Sequence, residues 1–99
     1  MIIAVRVFRA LADPTRRQIL EELKHGPLPA GEIASRFPVS APTISRHLSL
    51  LETAGLVSYH REANRLIYEA NSESLASVLN AFLSAVCPTQ IRERKRRKK

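Results

Sequence analysis

A chain of 99 residues, 44% hydrophobic and 25% charged, has the composition of one small globular domain, with little room for a second core. Its single cysteine, Cys87, excludes an intrachain disulfide framework and suits a reducing cytoplasm. No apolar run nears the roughly 20 residues that span a bilayer. Arg6 and Arg9 also interrupt the apolar start Met1-Ile2-Ile3-Ala4-Val5, which argues against a secretory signal. The net charge of +7 suggests nucleic acid, but residues 92–99 hold seven of the 16 basic residues against one acid, Glu93. This tail therefore carries +6 and residues 1–91 only +1, so any DNA affinity of the body must depend on where its charges sit.

In chain order, Ile3/Ala4, Val7/Phe8 and Leu11 share one face of a first helix. Asp13-Pro14 supplies an N-cap and a proline at the first helical position, which predicts a second helix from Pro14 to about His25 that buries Ile19, Leu20 and Leu23. Gly26-Pro27 stops it. A third helix, about Ala30 to Phe37, buries Ile33, Ala34 and Phe37, and Pro38-Val39 leads tightly into a fourth. The fourth helix starts at Ser40, which can cap its first turn, and stops at Gly55, which can take the left-handed C′ position. Two helices joined by so short a turn form a helix-turn-helix. Beyond Gly55 the period becomes alternating, and Val57–Arg61 can pair antiparallel with Arg65–Ala70 about the turn Glu62-Ala63-Asn64. Asn64 is the residue there best suited to positive φ. Asn71-Ser72 then caps a last helix with Leu75, Val78, Leu79, Phe82, Leu83 and Val86 on one face. The expected fold is mainly α with a small two-stranded β-hairpin: four helices, the hairpin as a wing, and a fifth helix. Residues 1–87 form the domain, and 88–99 a polar, basic tail expected to be disordered.

The fourth helix carries the functional signal. Its buried stripe is Ile44, Leu48 and Leu51, and turning 100° per residue puts Pro42, Thr43, Ser45, Arg46 and Ser49 on the other side. A helix meant only for solvent would carry several long charges. Small hydroxyls with one guanidinium suit close approach to a DNA groove.

The segments A-L-A-D-P-T-R-R-Q-I-L at 10–20, A-G-E-I-A at 30–34, S-A-P-T-I-S-R-H-L-S-L-L at 40–51, A-G-L-V at 54–57 and H-R-E at 60–62 resemble the ArsR/SmtB family of small bacterial winged-helix repressors. The A-D-P-T-R-R and A-G-E-I-A forms look most like its SdpR-type autorepressor branch. The resemblance implies a homodimer built from the first and last helices, with two recognition helices in successive major grooves of an inverted-repeat operator, often that of the repressor's own operon. The broad apolar last helix of so small a body supports dimerisation independently. Many relatives bind metal through a cysteine motif in the helix before the turn, or through Asp, His and Glu on the last helix. Here the first location has no cysteine and the last helix no histidine and one carboxylate, while His25, His47, His60 and Cys87 lie on separate elements. Neither a metal site nor a cofactor is expected. Two further departures are Ala63 where a wing glycine is common, and Pro29 where a hydroxyl cap is common.

The candidate DNA-binding residues divide by role. Arg46 can reach guanine O6/N7 or a phosphate, or be merely solvated; Thr43 and Ser45 can donate to base or phosphate. Ser40 is first a cap, compatible with a phosphate contact, and Pro42 is an early-helix residue that can also touch a thymine methyl. His47 sits about 60° from the buried stripe and is chiefly a packing residue, with DNA contact second. Arg61 and Arg65 flank the wing turn, in reach of the backbone or minor groove. Arg16 and Arg17 open the second helix, where the dipole disfavours cations, so they need another reason, either phosphate or an ion pair with Glu21 or Glu22. No carboxylate pair, nucleophile–base pair or glycine-rich phosphate loop points to an enzyme. The competing readings are a repressor released by thiol oxidation or a small ligand, and a winged helix used for protein interaction.

Overall fold

The computed structural model describes residues 2–87, with side chains from residue 4; the basic tail lies outside the described residues. Helices α1 (Ile2–Leu11) and α2 (Pro14–Leu23) are followed by a short strand β1 (Leu28–Pro29), α3 (Ala30–Ser35) and α4 (Ala41–Thr53). The hairpin β2 (Val57–Glu62) and β3 (Arg65–Ala70) then leads to α5 (Ser72–Val86). The five helices and the wing hairpin agree with the expected architecture.

Side chains from α1 to α4 and from the sheet make one core. Val7, Ile19, Ile33, Ile44, Leu48, Leu51, Leu56 and Val57 are almost completely removed from water, each such burial being worth about 1.5–3 kcal/mol. Helix α5 contributes no buried residue. Leu75 and Val78 rest against the core, whereas Phe82, Leu83 and Val86 remain exposed.

Caps define the ends of α2 and α4. The Asp13 carboxylate accepts from the backbone N–H of Thr15 at 2.7 Å and of Arg16 at 3.2 Å, and Pro14 occupies the first turn. Ser40 Oγ accepts from Thr43 N–H at 3.3 Å. At the far end of α4, Gly55 takes φ +81°; its N–H donates to Glu52 O, and Leu56 N–H donates to Leu51 O, both at 2.9 Å. This paired closure is the Schellman motif, and it seats Leu51 and Leu56 together in the core.

Four expectations need correction. The sheet has three strands, ordered β1-β3-β2, because Leu28 and Pro29 pair antiparallel with Tyr68 and Ile67. A two-residue strand has no period to detect, and its proline is tolerated because β1 is an edge. Helices α2 and α3 each end two residues early, at Leu23 and Ser35 in place of His25 and Phe37, and Leu20, Ala34 and Phe37 pack against the core only partly buried. Pairing of Glu62 with Arg65 leaves a two-residue turn, in which Ala63 takes positive φ (55°), not Asn64. Register decides this. The first central residue of such a turn needs the left-handed region whatever its side chain, and an alanine there carries strain that glycine would not. Finally, Asn71 precedes α5 without capping it through its side chain. Its Nδ2 donates to Gly55 O at 3.1 Å and its N–H to Leu56 O at 2.8 Å, tying the start of α5 to the end of α4.

Burial raises the pKa of the Asp13 carboxyl. The N–H groups of Arg16 and Thr15, together with the positive charge of Arg16 and the neighbouring His47, outweigh that and hold it below the usual carboxylate value. A lowered folded pKa means that the stabilisation is complete above about pH 4, the value expected for an unfolded Asp. It is lost as the pH falls through the folded value. Asp13→Ala should cost about 1 kcal/mol at neutral pH in urea denaturation, with the deficit shrinking under acid. Asp13→Asn should keep most of the cap and lose that pH dependence.

Candidate nucleic-acid interface

With Ile44, Leu48 and Leu51 in the core, α4 leaves Pro42, Ser45, Arg46 and Ser49 exposed to solvent. Thr43 is half-buried, and its Oγ1 lies 2.9 Å from Ser40 Oγ, so that the cap and the first hydroxyl of the outward face are coupled. The small residues Ala30, Gly31, Ala34 and Ala41 line the seam between α3 and α4. They let α3 lie close behind α4 while α4 faces outward. The Arg36 guanidinium bridges Glu22 at 2.6 Å and Glu32 at 3.1 Å, joining α2 to the end of α3 just before the turn. Its hydrogen bond holds the Glu22 carboxyl below the usual carboxylate range. Sequence spacing pairs Arg36 only with Glu32, four residues earlier; the partner on α2 is a tertiary contact.

His47 is half-buried, as its position on the helical wheel implies, and its Nδ1 lies 3.1 Å from Arg16 Nη1. The Arg16 guanidinium also donates through Nε to Ala10 O at 2.8 Å and through Nη2 to Arg9 O at 3.2 Å. Arg17 Nη1 donates to Leu11 O at 2.7 Å. The two arginines that begin α2 against its dipole thus close the C-terminal carbonyls of α1, where cations are favoured. The ion pair considered with Glu21 or Glu22 does not form; Glu22 is held by Arg36.

In the wing, Tyr59 and Tyr68 pair across β2 and β3 with ring centroids 5.2 Å apart, and His60 Nε2 lies 3.0 Å from Glu62 Oε2. Arg61 and Arg65 are exposed on either side of the turn. Among the described residues no three His, Cys, Asp or Glu side chains converge. Cys87 is a free thiol next to the end of α5.

An outward recognition helix held by a second helix across a tight turn, followed by a β-hairpin, defines a winged helix-turn-helix domain. A family model described as a helix-turn-helix domain matches residues 11–60. The chain is 42% identical over 80 residues to the transcriptional repressor SdpR of Bacillus subtilis, covering 81% of this chain and 89% of that protein. It is 47% identical over 73 residues to the regulator Rv2034 of Mycobacterium tuberculosis, covering 74% and 68%. An ArsR-like transcriptional regulator from Rhodococcus sp. RHA1 superposes with a TM-score of 0.78 at 31% identity, over 98% of this chain and 91% of that one. The homodimeric winged helix-turn-helix domain of Mb0332 from Mycobacterium bovis gives 0.70 at 32% identity, over 92% and 83%. The chain belongs to the ArsR family of winged helix-turn-helix transcriptional regulators, in its SdpR-type branch.

Proposed function

We propose that the protein is a transcriptional repressor that binds an inverted-repeat operator as a homodimer, including one at its own promoter, with no metal-sensing site. The observation that carries this is the outward face of α4: small hydroxyls and a single guanidinium, capped at Ser40 and locked at Gly55. In this reading Arg46 reads a base, Ser45 and Thr43 donate to base or phosphate, Ser40 and Pro42 approach the backbone and a thymine methyl, and Arg61 and Arg65 meet the duplex from the wing. The side chains of His47, Arg16 and Arg17 are engaged within the protein, which favours a positioning role for them. Dimerisation through α1 and α5 is supported by Val5, Phe8, Phe82, Leu83 and Val86, all exposed on those two helices, with Phe8 and Phe82 meeting edge to face at 5.2 Å. The homodimeric structural relative Mb0332 supports it too. Two-fold symmetry then sets the recognition helices about 34–36 Å apart, one turn of DNA. The non-metal reading rests on residue types: α3 carries no cysteine, and α5 carries no histidine and a single carboxylate, Glu73; the cytoplasm is the compartment where such a regulator meets DNA.

Footprinting upstream of the protein's own gene should reveal a protected inverted repeat. Arg46→Ala should weaken operator binding by about 1–3 kcal/mol and relax preference at one base position. Equal weakening on all sequences would make Arg46 a phosphate contact, and absence of any protected repeat would favour a protein-interaction module. Phe82→Glu should convert the dimer to monomer in sedimentation velocity and abolish operator binding while the helical circular dichroism persists. We further propose that the basic run 92–99 is a phosphate-binding arm. Removal of residues 89–99 should lower the slope of log affinity against log salt by roughly 0.9 for each phosphate the arm neutralises and leave operator preference intact.

A further inference from the structure

A cleft of about 250 Å³ opens between α1 and α4, floored by Ala10, Leu50 and Ala54 and edged by Arg6, Arg9, Arg16 and Thr53. Three of the nine arginines and lysines of residues 1–91 gather at this one place, and among the described residues no acidic side chain lines it. Helix α1 contains no Asp or Glu at all. Among the described residues Arg6 and Arg9 make no ion pair, in contrast with Arg36, which has two. Arg16 is held in place by the carbonyls of Arg9 and Ala10 and by His47. A nearly neutral body that gathers three guanidiniums, two of them without an ion pair among the described residues, around a concave seam that Thr53 helps to line has the chemistry of an anion site.

Position gives the anion its identity. Leu50 and Thr53 follow Arg46 by four and seven residues, so the cleft continues the same flank of α4 that carries the proposed base-reading guanidinium. On α1, Arg6 and Arg9 lie on the side of Ala10 that faces α4, whereas Phe8 turns toward Phe82 of α5. The basic edge is therefore distinct from the exposed apolar edge, and it runs alongside the recognition helix.

We propose that the α1–α4 cleft is a phosphate-binding site formed by Arg6, Arg9 and Thr53 around a fixed Arg16, and that its ligand is a backbone phosphate of the DNA on which α4 docks. This rests on the DNA-binding reading and adds a contact from α1 that neither recognition helix nor wing supplies. The test uses the full chain. Affinity is measured against salt concentration for the footprinted duplex and for an unrelated duplex of equal length, with wild type, Arg6→Gln/Arg9→Gln and Arg6→Lys/Arg9→Lys, all checked for dimerisation by sedimentation. The glutamine variant should lower the log–log slope by about 1–2, with binding to both duplexes weakened on the order of tenfold at moderate salt, and the lysine variant should restore the slope.

A second arm titrates inorganic phosphate, at constant ionic strength, into the DNA-free protein and reads the melting temperature. A stabilisation that the glutamine variant loses, without any change in DNA slope, would retain the phosphate site but assign it a free anion. Unchanged slopes together with no phosphate-specific stabilisation would overturn the proposal. Failure of the operator reading itself would appear separately, as equal affinity of wild type for the two duplexes, with the slope comparison still reporting on the cleft.

Discussion

Everything outward in this domain depends on the seating of α4. Ile44, Leu48 and Leu51 are each at most 1% exposed, and together they lock one side of a 13-residue helix into the core that the described residues share. A helix so short has little stability of its own in water; burial of its apolar stripe is what keeps it formed. The same burial fixes its rotation about its axis, and thereby which side chains face solvent. The Schellman closure at Gly55 then sets the direction of the wing, because Leu56 must enter the core beside Leu51 while the chain reverses into β2.

Charge in the body works by placement. Residues 1–91 carry a net +1, too little for bulk attraction to DNA. Several of its cations are committed to internal tasks: Arg36 joins α2 to α3, and Arg16 and Arg17 close the open carbonyls of α1. Arg16 connects three elements, since it sits on α2, donates to α1 and reaches His47 on α4. Helix α1, which carries the exposed Phe8, and helix α4 are thereby held in a fixed relation. Arg46, Arg61 and Arg65 are left exposed on the proposed docking face, with Arg6 and Arg9 on the flank of α1 beside it.

The fifth helix behaves in the opposite way. It has the most regular apolar pattern in the sequence, yet no residue on it is buried, and Phe82 and Val86 are 48% and 59% exposed. A chain of this size has a small core, and α5 meets it only through its first turns. The exposed remainder, continuous with Phe8, is the surface that the proposed dimer would cover.

The sequence by itself determined the elements and the face that α4 presents. Caps at Asp13 and Ser40, the stop at Gly55 and the i, i+4, i+7 stripe are local signals, each acting within a turn or two of the chain. The hydroxyl-rich outer face followed from the stripe by geometry alone. What lies between elements was decided only in three dimensions. Strand β1 exists because Leu28 and Pro29 meet the edge of β3, some forty residues away, and Ala63 carries positive φ because the register of β2 on β3 places it there. Arg16 appears in sequence as a misplaced cation at a helix start, and in the structure as the cap of another helix. Arg6 and Arg9 stand out in the sequence only as interruptions of an apolar run; packing sets them beside α4. Local hydrogen bonds and periodicity are encoded in neighbouring residues; the partners of long flexible side chains are encoded in the packing of whole helices, which no single stretch of sequence contains.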